Sequence, residues 1–60
     1  MQTVIDFALA QGWPDDAIAD LERHLVNKNM AAALTLVRAQ DMPIPARQDL
    51  MAMVVLAVVS

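Results

Sequence analysis

Apolar side chains recur every three or four positions along most of this chain, the spacing of one face of an α-helix. Val4, Phe7 and Ala8 share such a face, Ile5 and Leu9 widen it, and Asp6 and Ala10 define an outer side. Thr3, with Asp6 three residues on, is expected to cap a first helix of about Val4 to Gln11. Gly12 then supplies the left-handed residue that ends it. Trp13-Pro14-Asp15-Asp16 opens a second helix, because proline loses no intrahelical bond in a first turn and carboxylates there face free N–H groups. Ile18, Leu21 and Leu25 line its inner stripe, and Asp16, Asp20, Arg23 and Asn27 fall opposite, the clearest amphipathic segment in the chain.

Asn27-Lys28-Asn29 breaks the pattern. Asn29 suits the cap of a third helix from Met30 to about Gln40, with Met30, Ala33, Leu34 and Val37 inward. The alternative is one bent helix from Asp15 to Asp41. Met42-Pro43-Ile44-Pro45 is a firmer boundary, since each proline pushes the residue before it out of helical geometry. Pro45 then starts a fourth helix of Ala46 to Val59, with Asp49 in its first turns. Leu50 to Val59 contains no polar position, so a helix there is apolar all round and demands burial on every side. Val54 to Val59 is also rich in β-branched residues, and a strand there would need a partner from another molecule. Both readings bring part of this surface against something outside the monomer.

The expected fold is all-α: one domain over residues 1–60, a small bundle of four short helices (about 4–11, 15–27, 30–40 and 46–59) with a proline-kinked connection before the last. Its core should include Val4, Phe7, Ile18, Leu21, Leu25, Leu34, Val37, Leu50, Val54 and Leu56. A chain of 60 residues buries only about 60 % of its unfolded surface and usually adds a disulfide, a metal or a partner. Without cysteine, disulfides and thiolate metal sites are excluded, which raises the weight of a partner or of oligomerisation. The absence of cysteine also fits a reducing compartment.

Charge changes the picture further. The net −3 is uneven: Asp6, Asp15, Asp16, Asp20 and Glu22 stand in residues 1–22 without a lysine or arginine. Arg23, Lys28, Arg38 and Arg47 face only Asp41 and Asp49 in the remainder. An acidic first third repels phosphate and four scattered cations make a poor nucleic-acid footprint, so no direct nucleic-acid contact is expected. Neither proposed helix-turn-helix element carries the Arg, Lys, Gln and Asn cluster of a recognition helix, although a DNA-binding regulator stays open as a further class. The longest apolar run, Leu50 to Val59, is half of the about 20 residues a membrane span needs, and no positively charged leader is visible. The chain therefore reads as cytoplasmic, without membrane contact.

No catalytic residues, cofactor site or metal site are assigned. The chain has a single serine, Ser60, one histidine and no cysteine or tyrosine, so a nucleophile with its base and orienting group cannot be assembled. Asp16, Asp20 and His24, spaced i, i+4 and i+8, stack along one side of the second helix. A closed metal site wants about four ligands and a second shell, and the favoured reading is a solvated face with Asp20 paired to Arg23 or His24. Asp6, Asp15, Asp16, Asp20 and Glu22 together could engage a basic groove, as a row of carboxylates imitates a nucleic-acid backbone. Trp13 is expected to pack over Phe7 and Ile18, with a binding hot spot as its other role. Met51, Val55, Val58 and Val59 are candidates for self-association, and Met42, Met51 and Met53 could make an adaptable contact surface or fill gaps in the core.

In size, acidity and lack of cysteine and catalytic residues, the chain resembles the small acidic helical proteins that phages and mobile elements encode against host defence, such as anti-CRISPR proteins. The resemblance implies a non-enzymatic, stoichiometric inhibitor or adaptor in the host cytoplasm. The acidic residues of the first two helices would then contact a protein target with a positively charged nucleic-acid groove. The alternative is a self-assembling dimerisation or structural module that uses Leu50 to Val59 as its seam.

Overall fold

The computed structural model describes residues 2–60, which form four helices: α1 (Gln2–Ala10), α2 (Asp15–Val26), α3 (Met30–Ala39) and α4 (Ile44–Val59). The helices pack as a ring. Each touches its neighbour in sequence, α1 closes the circle against α4, and α1 and α3 do not pack on each other. Of the packed pairs, α2 with α4 meets least, so these two lie across a diagonal. The expected four-helix, all-α bundle is therefore present, and the bent single helix and the terminal strand are not among the described residues.

Two matching turns set the corners. At the end of α1, the Gly12 N–H donates to the Leu9 carbonyl (3.0 Å) and the Trp13 N–H to that of Ala8 (3.3 Å). At the end of α2, Lys28 N–H donates to Leu25 (3.1 Å) and Asn29 N–H to His24 (2.8 Å). Both patterns satisfy orphan carbonyls by a left-handed residue just past the helix, Gly12 at φ 83° and Lys28 at φ 55°. Asn29 then turns the chain into α3, its Oδ1 accepting from the Ala32 N–H at 3.2 Å. The break at Asn27–Asn29 is thus a C-terminal and an N-terminal device placed back to back.

The starts of two helices differ from expectation. Thr3 does not cap α1, because the helix already includes Gln2 and Thr3 lies exposed within its first turn. Asp6 instead accepts from Gln2 Nε2 at 2.9 Å, a one-turn side-chain pair. The fourth helix begins two residues before Ala46, with Pro43 as its cap residue and Pro45 in the first turn. Ile44 can be helical ahead of a proline here because no earlier helical carbonyl stands where the ring would clash. Asp49 consequently falls beyond the first turn and gains nothing from the helix end.

The core runs through the middle of the ring. Leu21, Leu50, Val37 and Val54 are its largest fully buried side chains, with Ala8 and Ala33 enclosed beside them. Val4 and Leu25 complete the expected set of buried positions, and Phe7, Ile18 and Leu34 pack partly buried against it. Leu56 departs from the expected core: it is 66 % exposed. With about 100° per residue, Leu50 and Val54 point α4 at α3 and α1, which leaves Leu56 on the far side. Ile5, Trp13, Ala17 and Met42 are buried in its place.

Candidate interaction surfaces

The acidic residues of α1 and α2 all remain at or near the surface, and no charged side chain is buried among the described residues. They do not form one row. Ala17, Leu21 and Leu25 fix the buried stripe of α2, and the helical angle then splits the acids onto its two flanks. Asp16 and Asp20 lie one turn apart on one flank. Asp15 and Glu22, seven residues apart and so nearly aligned, lie on the other.

The two flanks differ in what they have already satisfied. Asp16 Oδ1 accepts from the Ala17 N–H at 3.0 Å, a bond to a free donor of the first turn. Asp20 Oδ1 takes the Arg23 Nη2 at 2.6 Å, as expected of the solvated face, with the two side chains 44 % and 62 % exposed. Such an exposed pair contributes about 0–1 kcal/mol and largely cancels its own charge locally. Asp15 and Glu22 make no side-chain hydrogen bond or ion pair among the described residues. No group of three His, Asp or Glu side chains converges among the described residues, so Asp16, Asp20 and His24 are not gathered into a ligand set.

Trp13 sits in the core at 6 % exposure, at the corner between α1 and α2, and offers almost no surface to a partner. Its indole Nε1 is buried without a hydrogen-bond acceptor. Met42 is buried as well, which settles it as core filling, whereas Met51 and Met53 are half-buried.

Of the residues expected to drive self-association, Met51 and Val58 turn inward and pack partly buried against the core. Val55 lies at the edge of the helix's outer face and Val59 is on it, 67 % exposed. The outer strip is therefore Ala52, Val55, Leu56 and Val59, spaced i, i+3, i+4 and i+7. Beside it an open apolar groove of about 360 Å³ runs between α4 and the start of α1, lined by Thr3, Val4, Met53, Leu56, Ala57 and Ser60. Sequence reasoning missed Leu56 as a surface residue because the run Leu50 to Val59 has no polar side to orient it. A second shallow groove, between α2 and α3, is lined mainly by Ala31, Ala32, Thr35, Leu36 and Ala39, with His24 as its one titratable side chain. The Thr35 hydroxyl in this groove donates to the Ala31 carbonyl of its own helix at 2.9 Å.

No helix among the described residues is long and apolar enough to cross a membrane. Compared with protein-family models, curated proteins and solved structures, the chain matches none.

Proposed function

We propose that this chain is a non-enzymatic binding module that docks on a protein partner through the acidic pole formed by α2 and the outer side of α1. It would act as a stoichiometric inhibitor or adaptor of a larger complex, in the manner of anti-defence proteins. The supporting observation is the placement of charge. Five carboxylates are displayed on two helices, and Arg23 is the one cation paired with them among the described residues. Asp15 and Glu22, about 10 Å apart along the axis of α2, would lead the contact. A surface of that sign is steered toward basic grooves, including those that otherwise hold nucleic acid.

The test is affinity capture from the lysate of the host cell, with and without nuclease, followed by titration of the recovered partner at rising salt. The expected result is a nuclease-resistant complex in fixed stoichiometry whose affinity falls as salt rises. The double charge reversal Asp15→Lys, Glu22→Lys should weaken it by at least about tenfold, or 1.4 kcal/mol. A salt-independent affinity that ignores the double variant would remove the acidic pole from the interface.

A further inference from the structure

We infer that the groove between α1 and α4 seats an amphipathic helix of a partner protein, one whose apolar face is flanked by lysine or arginine. The site shares only Asp6 with the acidic pole and stands apart from Asp15 and Glu22 on α2.

The shape of the groove selects a helix. Its α4 wall is Met53, Leu56, Ala57 and Ser60, spaced i, i+3, i+4 and i+7, a single helical stripe about 10 Å long. Val4 and Thr3 of α1 form the opposite wall, across an opening of about 360 Å³. Leu56, 66 % exposed, stands at its edge. A channel between two helix surfaces takes a third helix that presents apolar anchors at the same spacing. Other ways of holding a peptide lack their parts here. No strand edge exists among the described residues to be extended. No aromatic side chain lines the groove for a proline-rich segment, and no lysine or arginine lines it for a phosphorylated one.

Charge selects what flanks that helix. Asp49 is exposed four residues before Met53 and seven before Leu56, so it stands on the groove side of α4. It makes no ion pair among the described residues. Asp6 is exposed three residues after Thr3, a neighbour on the surface of α1, and so borders the other bank. Its bond from the Gln2 amide is to a neutral donor and leaves its charge in place. Nothing nearby neutralises the two carboxylates. α1 carries no lysine or arginine. Arg47, two residues from Asp49, points to the opposite side of α4 and donates to the Gln40 carbonyl. The groove thus has an apolar floor and negative banks, which a basic amphipathic helix complements and an anionic lipid surface does not. A second copy offers no such helix: α1 and α2 have more acids than bases, and α3 and α4 carry one arginine each.

The test is amide chemical-shift titration of the full chain with a synthetic helical peptide about four turns long. Its leucines are spaced i, i+3, i+4 and i+7, with lysines on both flanks; a second peptide has glutamates in place of the lysines. The lysine peptide should shift Val4, Met53, Leu56 and Ala57, with a dissociation constant below about 1 mM that rises with salt. The glutamate peptide should bind at least about tenfold more weakly. Leu56→Gln, neutral and a good helix former, should weaken the lysine peptide about tenfold with helicity unchanged. Asp6→Lys with Asp49→Lys should reverse the preference between the peptides. Asp15→Lys with Glu22→Lys should change the affinity by less than about threefold at physiological salt, which separates this site from the pole on α2. No shift up to about 1 mM peptide, equal affinity for the two peptides, or shifts confined to α2 would overturn the proposal. Self-association, or binding to phosphatidylcholine–phosphatidylglycerol vesicles, that Leu56→Gln removes would assign the groove to another occupant and overturn it as well.

Discussion

Gly12 and Lys28 occupy the same position in two copies of one turn, and only one of them is the residue that the turn prefers. Nothing stands within 4 Å of where a Gly12 side chain would begin, so Gly12→Ala has no clash to resolve. Its cost is the left-handed backbone alone, about 1–2 kcal/mol, read as a lower urea midpoint. Lys28 already bears that cost at φ 55°. Lys28→Gly should stabilise the fold by about 0.5 kcal/mol, a smaller change because glycine has more unfolded freedom to lose and the lysine charge suits a helix C-terminus. The buried Trp13 indole gives a third residue-scale test. Trp13→Ala should cost about 3–5 kcal/mol and leave little folded protein at 25 °C, seen by loss of helical circular dichroism. The local signals at these positions were legible in sequence: a glycine after an apolar stripe, an asparagine before one. Thr3 was not, because its capping alternative competes with a Gln2–Asp6 pair that only a formed first turn brings together.

At the scale of the element, α4 carries large apolar side chains both inside and outside. Its inner side packs Leu50 and Val54 against α3 and α1, and its outer side is equally apolar. Leu50→Ala should therefore cost about 2–5 kcal/mol, while the same change at Leu56 should cost within about 0.5 kcal/mol at low protein concentration. Thermal melts of the two variants measure the rotation of this helix directly; equal losses would mean that α4 is turned differently. Arg47 ties the start of α4 to the end of α3, its Nη2 donating to the Gln40 carbonyl at 3.0 Å. That bond fastens the short Asp41–Pro43 connector across seven residues, a device no local pattern announces. Asn29→Ala, which removes the cap of α3, should cost about 1 kcal/mol.

The whole molecule has two poles. One is acidic and built on α2 and the outer side of α1; the other is apolar and built on α4, which lies across the ring from α2 but packs directly against α1. Against about 9,400 Å² for an extended chain of 6.5 kDa, the folded surface of 3661 Å² leaves roughly three fifths buried. A fold of that size has a small margin.

The sequence by itself determined the helices, their order and their corners, because helical spacing, Gly12, the Asn27–Asn29 break and the prolines act through neighbours a few residues apart. It also determined that Leu21, Leu25, Val37, Leu50 and Val54 would be inside. Tertiary structure alone decided how α4 is rotated, and with it that Leu56 faces out while Met51 and Val58 turn in. A helix apolar on every side has no preferred face, so its orientation is set by the shapes of α1 and α3. The division of the acids into two flanks, by contrast, follows from the helical angle once Leu21 and Leu25 are inward, and so was already set by the spacing in the sequence.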